Sequence, residues 1–124
     1  MRNLAFIFLL AGCAASQAHV PPIRNIDYQA FGSRYPWVLT IGDDKIVAWP
    51  FNGDEQRIWP RTQPRIEGDH RIWQSGDAID GITIIARPGP CVVEERGRFA
   101  DFVEFRTGEE GVTLEGCGGR RIRN

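Results

Sequence analysis

The sequence is poor in the residues on which most catalytic and metal sites depend. Of its 124 residues, two are histidine, three are cysteine and one is methionine. Only His70 falls inside the part of the chain that we expect to fold. A zinc site needs several ligands, and a histidine-assisted nucleophile needs a partner beside the ring. We therefore predict no catalytic residue, no metal site and no cofactor.

The chain also carries almost no net charge. Its 15 lysines and arginines nearly balance its 16 aspartates and glutamates, for a formal net charge of −1. Nucleic-acid binding requires a strongly basic surface, so we expect no nucleic-acid partner. Lys45 is the only lysine, and we attribute the preference for arginine to composition first and to anion recognition second.

Apolar residues do not recur at helical spacing over any useful length. Short runs of alternating polar and apolar residues are instead separated by glycine and proline, which is typical of β-strands. The expected strands are 27–32, 37–41, 45–49, 56–59, 70–74, 82–87, 99–106 and 112–116. They predict an all-β domain at residues 26–119, a small antiparallel meander barrel or sandwich of about eight strands.

The last two of these strands should form a β-hairpin. Gly108–Gly111 has glycine at both ends and supplies the turn. With those four residues as the loop, Phe105 faces Leu114 and Val103 faces Gly116 on the apolar side.

Two cysteines bracket the hairpin, and we predict one disulfide between Cys91 and Cys117. The bond would close a loop of roughly 27 residues and stabilise the fold by about 3–4 kcal/mol in the chain-entropy model. The alternative is a pair of unpaired buried thiols. Phe102 interrupts the alternation of the hairpin, which requires either a bulge or a second buried contact at that point.

The first residues have the pattern of an export signal. Arg2 precedes the apolar run Leu4–Leu10, which is too short to cross a bilayer as a helix. The run ends in Leu-Ala-Gly-Cys, which resembles the bacterial lipobox, in which the cysteine is lipidated and becomes the mature N-terminus. Residues 1–12 are thus predicted to be a lipoprotein signal peptide and Cys13 the lipidated residue.

A lipidated Cys13 would attach the protein to a membrane, and residues 13–25 would form the tether. The residue after the cysteine is Ala14 rather than the aspartate associated with inner-membrane retention. The resemblance therefore implies the bacterial outer membrane, with the domain facing the periplasm. Ser16–Ala18 offers a competing cleavage site of small-x-small type, which would give a soluble periplasmic protein instead.

Two stretches resemble a known family. Tyr28 to Ile41, with its alanine, glycine, proline, tryptophan, leucine and isoleucine, resembles one motif. Pro90-Cys91, followed by a strand, a turn and Leu114-Glu-Gly-Cys-Gly, resembles the family's C-terminal signature. The family consists of bacterial lipoproteins and envelope proteins found near, or fused to, META/HslJ-like and lysozyme-inhibitor-like domains. The chain departs from the family pattern at Val92–Arg98.

Basic residues close to the C-terminus form a candidate binding site. Residues 120–124 form a basic tail, and Arg96, Arg98, Arg120 and Arg121 could together contact lipid phosphates or anionic glycans. The alternative is a frayed, solvated terminus.

The predicted function is that of a non-enzymatic bacterial envelope lipoprotein with a binding or structural role, acting on an envelope protein or glycan partner. The family's genomic neighbourhood makes a lysozyme inhibitor the first alternative. The second alternative is an enzyme with an unrecognised site, which a pocket containing two or more buried titratable groups would favour.

Overall fold

A computed structural model describes residues 23–34, 36–49, 56–108 and 113–123. Within these ranges the chain forms nine β-strands and no helix. The strands are β1 Ile26–Gly32, β2 Val38–Gly42, β3 Lys45–Trp49, β4 Arg57–Pro60, β5 Arg65–Glu67, β6 His70–Ser75, β7 Ile82–Val93, β8 Gly97–Thr107 and β9 Thr113–Ile122. The all-β prediction is confirmed. The predicted signal peptide, Cys13 and most of the tether lie outside these ranges.

The nine strands form one antiparallel sheet that curls into a half-barrel. Their order is β4-β3-β2-β1-β9-β8-β7-β6-β5. Apart from β4 and β5, strands that follow each other in the chain lie side by side in the sheet. The pairing of β1 with β9 joins the first and last strands of the chain. Only β4 and β5 follow each other in the chain without pairing, so they form the two edges of the sheet.

These two edge strands form one long segment of chain. Every pairing in the sheet is antiparallel, so β4 and β5 run in the same direction, with four residues between them. β4 pairs with β3 and β5 pairs with β6. β5 accounts for the ninth strand, which the sequence did not predict. Side chains connect this segment to β6: the Ser75 hydroxyl donates to the Pro60 carbonyl at 2.6 Å, and the Thr62 hydroxyl donates to the Gln74 carbonyl at 2.8 Å.

The inner face of the curled sheet holds the main core. The alternation predicted for Trp37, Leu39 and Ile41 is confirmed, since all three side chains are almost fully buried. The remaining members of the cluster are Tyr28, Ala30, Ile46, Ala48, Trp59, Trp73, Ile82, Ile84, Ala86, Val103 and Phe105. Three of the four tryptophans belong to it, and burial of such large side chains is the main stabilising term for a small domain.

The C-terminal hairpin has the predicted register but longer strands. Val103 pairs with Gly116 and Phe105 with Leu114, as expected. Residues 109–112 of the predicted turn lie outside the described residues. β9 continues to Ile122, so the predicted boundary at residue 119 is wrong: Arg121 and Ile122 pair with β8, and residues 120–122 belong to the strand.

The disulfide lies on the outer face of the sheet and is confirmed between Cys91 and Cys117. Cys91 is on β7 and Cys117 on β9, with β8 between them. Strands are about 4.8 Å apart, so two strands on either side of a third lie about 10 Å apart in a flat sheet. The two Cα atoms are only 5.5 Å apart. The end of β7 therefore bends across the outer face of β8.

A bulge in β7 permits this bend. The pairing of β7 with β8 shifts between Pro88 and Cys91. At Gly89 a Cβ atom would lie 2.3 Å from the ring of Phe102, so only glycine fits against that ring. Both explanations offered for Phe102 are correct, because it faces a bulge and also packs against the buried cluster beside the disulfide.

Candidate functional site

A second, smaller apolar cluster surrounds the disulfide on the outer face. Val93 and Phe99 are buried with the two cysteines, and Phe31 and Phe102 pack against them. The rings of Phe31 and Phe99 have centroids 5.5 Å apart. These residues come from β1, β7, β8 and β9. The bridge joins β7 to β9 across β8, so the cluster brings together strands that would lie further apart in a flat sheet.

Three arginines cover these rings. Arg96 lies 4.3 Å above the centroid of Phe31, Arg121 lies 5.5 Å from that of Phe99, and Arg87 lies 5.0 Å from that of Phe102. We call the three arginines and the three rings the disulfide face.

The arginines of the disulfide face keep their hydrogen-bonding capacity. Each guanidinium–ring contact is worth roughly 0.5–1 kcal/mol at an exposed site and holds the side chain in one place. Among the residues that the structure describes, no carboxylate forms an ion pair with any of the three. The disulfide face therefore presents fixed positive groups whose N–H donors can bind an anion.

The structure divides the four arginines predicted as a binding set. Arg96 and Arg121 lie on the disulfide face. Arg98 pairs opposite Ile122 in the ladder between β8 and β9. Arg120 instead lines a separate cleft between β1, β6, β8 and β9.

Arg87 was missed, although it is paired with Phe102 across the ladder. The sequence contained a signal for this contact: Phe102 breaks the alternation of its strand, which indicates an apolar side chain packed on the outer face.

The separate cleft contains a polar cluster that sequence reasoning did not find. It has a volume of about 510 Å³ and is lined by residues of β1, β6, β8 and β9. The Tyr28 hydroxyl donates to Asp101 Oδ2 at 2.6 Å, and Arg71 Nη2 donates to the same oxygen at 3.2 Å. The Arg71 guanidinium also lies over the rings of Tyr28 and Trp73, at 4.9 and 5.4 Å.

Tyr28 is held as a neutral donor in this cluster. Burial of the side chain, with the hydrogen bond to Asp101 and the charge of that carboxylate, raises the pKa of Tyr28 far above its ordinary value of 10. The phenol therefore keeps its proton at neutral pH. The arrangement links β1, β6 and β8 through one carboxylate, and the protonated tyrosine is not an activated nucleophile.

The other residues weighed from the sequence are not gathered into a site. His70 Nδ1 lies 3.1 Å from Asp69 Oδ1 at an exposed turn. Asp69 belongs to the turn before β6, so its carboxylate can reach the ring of the next residue. Across the described ranges, no three side chains of histidine, cysteine, aspartate or glutamate come together as a metal site.

Comparison with protein-family models, with characterised proteins and with solved structures finds no match to this chain. The resemblance to envelope lipoproteins thus stays a prediction. In the part of the chain that the structure describes, no helix is long and apolar enough to cross a membrane.

Proposed function

We propose that the chain is a non-enzymatic lipoprotein of the bacterial envelope, anchored by Cys13 in the outer membrane and facing the periplasm, with a folded domain that binds an anionic partner. The observation that carries this proposal is the disulfide. The side chain of Cys117 is fully buried and that of Cys91 is 8% exposed. Buried structural disulfides are typical of exported proteins and rare in the cytosol. The bond therefore supports the export predicted from residues 1–12.

The binding role is supported by the way the disulfide face is built. The bridge, the bulge at Gly89 and the ring pair Phe31–Phe99 fix arginines that have no acidic partner among the described residues. Fixed guanidinium groups lose little conformational entropy on binding, which favours recognition of phosphate, carboxylate or sulfate groups.

The anchor is tested by replacing Cys13 with serine and following the protein through membrane fractionation and fatty-acid labelling. Loss of the label and a move to the soluble fraction are expected. The matched control is Ala18→Leu, which blocks the competing cleavage site and should leave the protein labelled and membrane-bound. An unlabelled wild-type protein whose fractionation does not change in Cys13→Ser would overturn the anchor and leave the soluble periplasmic alternative.

A second candidate function rests on the Tyr28–Asp101–Arg71 cleft, because two buried titratable groups in one pocket favour the enzyme alternative. Screening hydrolase and isomerase substrates with the wild-type protein and with Asp101→Asn tests it. Turnover that disappears in Asp101→Asn, with the fold retained, would replace the non-enzymatic proposal. Lysozyme inhibition stays a prediction, which a direct inhibition assay against lysozymes tests.

A further inference from the structure

The position of the tether relative to the arginines suggests what the domain binds. β1 begins at Ile26, directly after the predicted tether. β1 is antiparallel to β9, β9 to β8, and β8 to β7. The start of β1, the end of β9 and the turn between β7 and β8 therefore lie at the same end of the sheet, which we call the tether end. The pairing of Arg98 with Ile122 agrees with this placement.

Five arginines lie at the tether end, in the β7–β8 turn, at the start of β8 and at the end of β9: Arg96, Arg98, Arg120, Arg121 and Arg123. Two of them form a continuous stack. Arg96 contacts Phe31, Phe31 contacts Phe99, and Phe99 contacts Arg121. The Arg121 guanidinium also lies against the turn, since a Cβ atom on Gly97 would be 3.8 Å from its Cζ. Arg121 is thus held at the tether end, whereas Arg96 reaches from the β7–β8 turn over the outer face to Phe31, near the far end of β1.

We infer that the tether end rests on the phosphate groups of an anionic membrane surface, as a second attachment beside the lipid at Cys13. The inference deepens the proposed function and rests on it for the anchor. The predicted tether of residues 13–25 could reach at most about 45 Å even if fully extended. That length keeps the arginines close to the bilayer surface at an effective concentration in the millimolar range.

Charge complementarity favours lipid phosphate as the occupant. Basic residues near an anionic bilayer strengthen attachment about fivefold each, the equivalent of about 1 kcal/mol. Glu94 and Glu95 are exposed in the same turn, and Asp43 and Asp44 are exposed in the β2–β3 turn, which lies at the same end because Gly42 pairs with Ile26. These four carboxylates reduce the attraction of the five arginines without cancelling it. A soluble glycan can approach any face of the domain, whereas a membrane that holds the N-terminus lies next to the tether end.

Sedimentation with vesicles tests the inference separately from the anchor. The full chain carrying Cys13→Ser is used, so that no acyl group contributes. Binding to phosphatidylglycerol vesicles should exceed binding to phosphatidylcholine vesicles and should fall as salt is added. Replacing both Arg96 and Arg121 by glutamine should weaken binding to the anionic vesicles by about 25-fold, from about fivefold per residue.

Two further variants control for folding and for charge alone. Arg57 also stacks on a tryptophan, at 5.2 Å from the Trp59 ring, and together with Arg106 it lies at the opposite end of the sheet. Arg57→Gln/Arg106→Gln should bind within about twofold of the parent. Arg96→Lys/Arg121→Lys keeps both charges and should retain most of the binding, because both residue types attract an anionic surface.

Several outcomes would overturn the inference. They are equal binding to the two kinds of vesicle, equal loss in the opposite-end variant, and binding to a sulfated polysaccharide with none to vesicles. None of these outcomes depends on lipidation, so failure here leaves the fractionation of Cys13→Ser as an independent test of the anchor.

Discussion

Reduction of the Cys91–Cys117 bond should lower the free energy of unfolding by about 3.5 kcal/mol. The cysteines are 26 residues apart, so the bond closes a loop of roughly 27 residues. In the chain-entropy relation such a loop corresponds to about 12 cal/mol/K, or about 3.5 kcal/mol at 25 °C. Small domains have only about 5–15 kcal/mol of stability in total. The midpoint of thermal unfolding should therefore fall by roughly 15–25 °C for a folded domain of this size.

The assay is thermal or denaturant unfolding with and without a phosphine reductant, on the Cys13→Ser chain. Intact mass should show no alkylated thiol before reduction and two afterwards. The Cys91→Ala/Cys117→Ala variant is the control, because its unfolding should not respond to the reductant. A shift under about 5 °C on full reduction would refute the reasoning, and so would two free thiols in the native protein.

Three other substitutions test the packing that surrounds the bridge and the cleft. Tyr28→Phe removes a hydrogen bond to a charged acceptor and should cost about 1.5–3 kcal/mol in denaturant unfolding. Because the pKa of Tyr28 is raised in the folded state, its contribution is fully present below about pH 10 and is lost above it. Alkaline unfolding should thus be shallower in Tyr28→Phe, and identical alkaline profiles would contradict the placement. Gly119→Ala should cost at least about 1 kcal/mol more than Gly68→Ala. Both glycines have positive φ, but a Cβ on Gly119 meets Asp101 Oδ2 at 2.5 Å while a Cβ on Gly68 meets nothing within 4 Å. Equal costs would show that only backbone strain matters there. Ser75→Ala should lower stability by about 1 kcal/mol through the lost hydrogen bond to β4, and no change would mean that the two sheet edges do not depend on it.

Local patterns were sufficient to predict most of the sheet. β3 has the predicted bounds, Lys45–Trp49, because turn residues precede it in the sequence and a proline follows it. β5 was missed because its three residues are all exposed, which leaves no alternation to read. β7 was ended six residues early because Pro88 and Pro90 argue against a strand interior. Proline is nevertheless tolerated at a bulge, where the ladder needs no donor.

The polar cluster was less accessible from sequence, although one signal existed. Asp101 lies between Phe99 and Val103 in β8, so alternation placed a carboxylate on the apolar side of the strand. A buried carboxylate requires partners. Those partners, Tyr28 and Arg71, come from strands that are distant in sequence, and their convergence depends on how the sheet curls. No local pattern contains that information.

The disulfide face depends on oxidation in a way that the inner core does not. The core packs fourteen buried side chains from both halves of the sheet, and none of them is a cysteine. The outer cluster has four buried members, and two of these are the bridged cysteines. Without the bond, the end of β7 is held near β9 only by the bulge and a few rings, because β8 lies between them. The reduced protein should therefore retain its core while the turn that carries Arg96 moves away from Arg121. The oxidation that stabilises the domain would then also assemble the surface proposed to meet the membrane.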